Sequence, residues 1–210
     1  MIKKAIIISL SGLKLTKKEK KLFKNNIPWG IILFSRNIKS FYQLKKLIHS
    51  IKKITNDKNY PILIDEEGGT VTRLQKILYT RKYSQHFFGK LYETEPSISL
   101  NIYKYYIDQL CVFFKEIGIN INTVPVADKL YPSTNLFLKK RVYSSKIETI
   151  KSLSSICINT YNKNKISTVI KHIPGHGLAK SDSHKKLPVV NQNLSFLVKN
   201  DFKCFEKTKS

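Results

Sequence analysis

Trp29-Gly30-Ile31-Ile32-Leu33-Phe34 runs straight into Ser35-Arg36-Asn37. An unbroken apolar run of this length, rich in β-branched residues and closed by a polar cluster, reads as a strand buried on both faces. Such strands belong to parallel sheets, in which helices cover both sides. The flanking sequence supplies the helices. Upstream, Thr16–Asn25 reads as a lysine-rich helix with Thr16 as N-cap and Glu19 three residues on, a capping box. Downstream, Ser40–Asn56 sets Phe41, Leu44, Leu47, Ile48 and Ile51 on one helical stripe.

The alternation continues in both directions. Ala5–Ser9 is expected to be a buried first strand, and Pro61–Ile64, Ile119–Val124 and Ser167–Ile170 the later ones. Helical patterns cover Ile98–Ile117, Lys146–Asn162 and the tail from Leu194 to Phe205. Strands alternating with crossover helices give an α/β fold, either a barrel or a doubly wound sheet. The polar clusters choose between them. Ser35-Arg36-Asn37, Asp65-Glu66-Glu67-Gly68-Gly69, Pro125-Val126-Ala127-Asp128 and Lys171-His172 all follow a strand at its C-terminal end. Functional residues of a TIM (β/α)8-type barrel sit at that end. One domain over residues 1–210 is expected, an incomplete barrel of about five of the eight βα units. Five strands would leave two unpaired edges, so such a chain should aggregate or stay partly unfolded unless a complementing chain completes it.

The formal net charge is +24 on 210 residues. The lysines are spread along the chain, and Lys, Asn, Ile and Tyr are all abundant, the residues AT-rich codons encode. The charge is therefore read as compositional drift on solvated faces. The competing reading, a basic nucleic-acid-binding protein, requires one coherent basic face. The arginines are Arg36, Arg73, Arg81 and Arg141, and each offers a bidentate fork that lysine cannot replace. No apolar run reaches the roughly 20 residues of a membrane span. Met1 to Leu10 imitates a short signal peptide but lacks a small-residue cleavage site. Cys111, Cys157 and Cys204 show no metal or redox spacing and read as buried free thiols in a reducing cytoplasm.

Two segments carry chemistry. Asp65 through Arg73 puts three acids beside two glycines at a strand end. A carboxylate there can accept hydrogen bonds from vicinal sugar hydroxyls, and Arg73 can return to the same pocket; a surface turn is the plain alternative. Lys171-His172-Ile173-Pro174-Gly175-His176-Gly177, followed by Asp182-Ser183-His184, gathers three of the five histidines in one glycine-rich loop. A zinc site would want further ligands, and no cysteine is near. The other reading is an Asp-x-His dyad, in which Asp182 orients His184 as a base.

These residues resemble the glycoside hydrolase family 3 β-N-acetylhexosaminidases of bacterial peptidoglycan recycling. Four motifs carry the likeness, in order: Gly30 through Ile38, Asp65 through Arg73, Pro125 through Asp128, and Lys171 through His184 with Pro188. The resemblance implies that Asp65, Arg73, Arg141, Lys171 and His172 hold a terminal N-acetylglucosamine. It implies that His184 is the acid/base and Asp182 its partner, in a retaining mechanism. No metal and no cofactor are implied. The substrate class would be an N-acetylglucosamine-containing muropeptide, met in the cytoplasm, with no membrane or nucleic-acid partner. The family's nucleophile, an aspartate after the sixth strand, has no counterpart in these motifs, so the isolated chain is expected to be inactive. A non-catalytic sugar-binding remnant is the alternative.

Overall fold

A computed structural model describes residues 3–181 and 186–206. Five parallel strands form one sheet in the order β1-β2-β3-β4-β5. They are β1 (Lys4–Ser9), β2 (Pro28–Leu33), β3 (Ile62–Ile64), β4 (Ile121–Asn122) and β5 (Ser167–Thr168). The pairing is unshifted through the centre: Ile32 faces Leu63, Ile64 faces Asn122, and Asn122 faces Thr168. Every connection between neighbours carries helix, which parallel pairing demands. The helices are α1 (Lys17–Asn25), α2 (Phe41–Thr55), α3 (Gln85–Thr94), α4 (Pro96–Ile117), α5 (Leu136–Lys139), α6 (Ile147–Lys163) and α7 (Leu194–Lys199).

Local chemistry sets the helix ends. The capping box at Thr16 forms, with Glu19 N donating to Thr16 Oγ1 and Thr16 N donating to the Glu19 carboxylate. Ser40 caps α2 with its hydroxyl, which accepts from Gln43 N at 3.3 Å. Helix α4 begins on Pro96 and stops at Gly118, whose φ of 94° suits a residue without Cβ. The core lies between the sheet and α2, α4 and α6, and buries Ile31, Leu33, Leu44, Ile62, Phe114 and Leu153 completely. Phe114 stacks on Tyr161 at 6.4 Å between ring centroids. All three cysteines are buried free thiols, as expected.

Several sequence expectations change. The first strand is not buried: Ile6 is 53% exposed and Ile7 44%. β1 is an edge strand with one neighbour among the described residues, so one side of it has nothing to pack on. Trp29, taken for part of a strand buried on both faces, is also exposed. The tail is not one helix. α7 ends at Lys199, with Asn200 as its C-cap, and a short 3₁₀ turn follows at Phe202–Cys204. The break lies at Asn200, whose φ of −121° and ψ of −83° leave the helical region, and beyond it Asp201 accepts a hydrogen bond from Tyr131 Oη at 2.7 Å. Helices α3 and α5 were not foreseen.

Candidate active site

The polar clusters do meet at the C-terminal ends of the strands. Asp65 follows β3, Asp128 lies beyond β4, and Lys171 and His172 lie beyond β5. Lys171 extends the sheet past β5: its N donates to Pro125 O at 3.0 Å and its carbonyl accepts from Ala127 N at 2.9 Å. Arg141 arrives on the loop after α5. Asp65, Arg141, Lys171 and His172 line a pocket of about 640 Å³ together with Phe34, Glu67, Arg73, Phe137 and His176, and Asp128 lies buried behind it.

Two linked networks occupy its floor. In the first, Lys171 Nζ lies 2.6 Å from Glu67 Oε1 and 3.6 Å from Asp65 Oδ1, and donates to Thr123 Oγ1 at 3.0 Å. The Thr123 hydroxyl in turn donates to Asp65 Oδ1. Arg73 Nη2 donates to Asp65 Oδ2 at 3.1 Å. Arg141 forks onto both oxygens of Glu67, at 2.8 and 2.9 Å. Glu67 therefore balances two cations at once, with its side chain only 1% exposed. In the second network, the fully buried Asp128 accepts from His172 Nδ1 at 2.6 Å and from His176 N at 2.7 Å. A carboxylate on Nδ1 leaves Nε2 as the imidazole's free nitrogen, and it lies 3.4 Å from Arg141 Nη2.

Burial alone would raise the Asp65 carboxyl, but Lys171, the Thr123 hydroxyl and Arg73 outweigh it and hold it below the usual carboxylate range. It stays an acceptor-only carboxylate at neutral pH, with lone pairs left for ligand hydroxyls. Burial would likewise lower Arg141, but Glu67 pushes it above its ordinary value. Arg73 Nε is buried without a hydrogen-bond partner among the described residues.

Glu66 faces away from the pocket and organises the loop. Its Oε2 accepts from Arg73 N at 2.8 Å and Leu74 N at 3.0 Å, and its Oε1 accepts from Thr80 Oγ1 at 2.6 Å. The turn behind it needs glycine: at Gly68, φ is 77° and a Cβ would stand 2.2 Å from Tyr83 O. Burial raises the Glu66 carboxyl, against the pull of its hydrogen bonds. The folded state thus takes that proton more readily than the unfolded chain. Its contribution to stability is present below the unfolded value of about 4.3 and is lost as pH rises through the higher folded value. Glu66→Ala is expected to cost about 3 kcal/mol in chemical denaturation, because two backbone N–H groups and a hydroxyl lose their acceptor. Glu66→Gln, which keeps the carbonyl acceptor, should cost about 1 kcal/mol and flatten the pH dependence.

Of the residues singled out in the sequence, Asp65, Arg73, Arg141, Lys171 and His172 are brought into one pocket. Asp182 and His184 lie outside the described residues. The start of their loop is held from the other side: Thr134 Oγ1 donates to Gly177 O and Asn135 Nδ2 to Lys180 O, both at 2.8 Å. Sequence reasoning gave Glu67 and Asp128 no role and passed over Thr123 and Phe137. Arg36 turns away from the pocket, donating to Leu10 O and Ser9 Oγ.

The model of the glycosyl hydrolase family 3 N terminal domain matches residues 2–208. The beta-hexosaminidase of Bordetella pertussis is 28% identical over 198 residues, 93% of this chain and 55% of the relative. That of Methylobacillus flagellatus is 27% identical over 204 residues, 96% and 57% of the two chains. Among solved structures, NagZ from Neisseria gonorrhoeae in complex with N-trifluoroacetyl-D-glucosamine superposes with a TM-score of 0.87 at 26% identity. That superposition covers 97% of this chain and 59% of the other. The chain spans a little over half the length of the relatives it matches, and its five parallel strands are part of a TIM-barrel-like α/β fold. The chain belongs to glycosyl hydrolase family 3, as its N-terminal domain.

Proposed function

We propose that this domain forms the sugar-binding and acid/base part of a retaining β-N-acetylhexosaminidase. The substrate is a terminal, non-reducing β-linked N-acetylglucosamine on peptidoglycan fragments, met in the cytoplasm. The observation that carries the reading is the convergence of Asp65, Arg73, Arg141, Lys171 and His172 on one pocket in a chain of this family. Asp65 receives vicinal hydroxyls, and Lys171, Arg73 and Arg141 donate to sugar oxygens. His172, fixed by Asp128, presents Nε2 to the same space. His184, oriented by Asp182, protonates the leaving oxygen and then activates the water that hydrolyses the glycosyl-enzyme.

The nucleophile has to be a further carboxylate. Asp65 is held by Arg73 and Thr123, Glu67 by Arg141 and Lys171, and Asp128 by His172 and His176. A carboxylate bound in this way is a poor nucleophile, because attack on an anomeric carbon would break the hydrogen bonds and ion pairs that hold it. The same argument supports a second reading, a domain that binds the sugar without cleaving it. Release of 4-nitrophenol from 4-nitrophenyl N-acetyl-β-D-glucosaminide tests this. The purified chain alone should show no turnover above buffer. Turnover in the usual enzymatic range of about 1–1000 per second would contradict the placement of the nucleophile outside this pocket.

A further inference from the structure

The charge of this chain is not spread evenly over the folded molecule. Helix α1 reads Lys-Lys-Glu-Lys-Lys-Leu-Phe-Lys-Asn, and α2 packs beside it with Lys45, Lys46, Lys52 and Lys53. Between Lys14 and Lys58 the only acids are Glu19 and Asp57. Both are already engaged. The Glu19 carboxylate accepts from Ser11 N, Thr16 N and both hydroxyls, within 3.1 Å. Asp57 pairs with Lys3 at 2.7 Å. A groove of about 550 Å³ runs between the two helices, lined by Leu13, Lys14, Leu15, Lys20, Tyr42 and Lys46. Lys14, Lys20 and Lys46 have no ion-pair partner among the described residues. Tyr42 stands 76% exposed at the rim and is braced edge-on by Phe41 at 5.6 Å between centroids.

From this we infer that the α1–α2 groove binds single-stranded nucleic acid. Uncompensated lysines along a groove follow a phosphate backbone, and an exposed, braced aromatic ring offers a face on which a base can stack. An anionic bilayer fits less well. Leu13 and Leu15 are half-buried in the groove and so are withdrawn from the plane in which a membrane-seeking face would insert them. The site lies on the outer helices and is independent of the sugar pocket, so the two readings stand or fall separately.

Fluorescence anisotropy with a fluorescein-labelled 20-nucleotide oligo-dT tests the inference. Binding should be measurable at low salt, with log affinity falling linearly as log salt rises. The triple variant Lys14→Glu/Lys20→Glu/Lys46→Glu should weaken binding at least 100-fold, and Tyr42→Ala about tenfold. The variant Lys163→Glu/Lys186→Glu/Lys199→Glu, with the same net charge, should bind within threefold of wild type. Hydrogen exchange on the unmodified chain should show oligonucleotide-dependent protection in α1 and α2, which guards against misfolding of a variant. Equal losses in the two triple variants would overturn the inference, since the charge would then act only as a diffuse field. Binding to phosphatidylglycerol vesicles with none to the oligonucleotide would overturn it too, as would no binding at low salt.

Discussion

Glu67→Ala is expected to lower stability by about 3–4 kcal/mol, the cost of leaving buried charges without their partner. For a chain of this size that corresponds to a fall in melting temperature of about 10 °C, measurable by calorimetry. The reason is geometric. Among the described residues, Glu67 is the only carboxylate that touches both Lys171, at 2.6 Å, and Arg141, at 2.8 Å. Without it, two cations face each other across a pocket whose remaining acid, Asp65, lies 3.6 Å from Lys171 and already carries Arg73. Glu67→Gln restores the shape and one acceptor but not the charge, so it should recover about half of the loss. Arg81→Ala provides the contrast. Among the described residues Arg81 donates only to Gln75 at the surface, and its loss should cost less than about 0.5 kcal/mol. If Glu67→Ala melts with wild type, the ion-pair network does not hold the pocket floor.

The second large effect is on binding. Asp65→Ala should weaken N-acetylglucosamine binding by about 100- to 10,000-fold, the loss of two hydrogen bonds to a charged acceptor at about 1.5–3 kcal/mol each. The pH dependence follows from the depressed carboxyl. Asp65 is ionised in the folded state at all pH above the ordinary carboxylate value, so affinity should be flat from neutral pH down to about pH 4. Its stabilising ion pairs are fully present above that unfolded value and are lost as pH falls through the lower folded one. Sugar affinity should fail in the same acid window. A loss of affinity already complete well above that acid window would instead show that a group other than Asp65 controls binding.

Much of this site was legible because the residues that build it cluster at strand ends. Asp65, Arg73, Lys171 and His172 each fall within or directly after a motif that follows an apolar strand run. Glu67 was not legible. In Asp65-Glu66-Glu67 the spacing does not tell which glutamate turns inward, and that is decided by the positive-φ turn at Gly68. Asp128 could have been found: an acid that closes a strand-end motif and is fully buried needs donors, and the histidine loop provides them. Helix α3 was missed because Gly89 sits in its middle, and glycine argues against a helix. It is there because the chain at Tyr143 presses on the helix: a Cβ at Gly89 would stand 1.9 Å from Tyr143 O. The exposure of β1 could not be read from its apolar pattern, because periodicity reports which residues are apolar and not whether a neighbour covers them.

The central claim is that the strand-end pocket is a binding site for a terminal N-acetylglucosamine. Titration of the ¹⁵N-labelled chain with N-acetylglucosamine, followed by amide chemical shifts, tests it most directly. The account predicts saturable shifts at Asp65, Glu67, Arg73, Arg141, Lys171 and His172, none along α1, and loss of all of them in Asp65→Ala. Saturable shifts elsewhere with these six unmoved, or no saturable shift at any concentration, would contradict it.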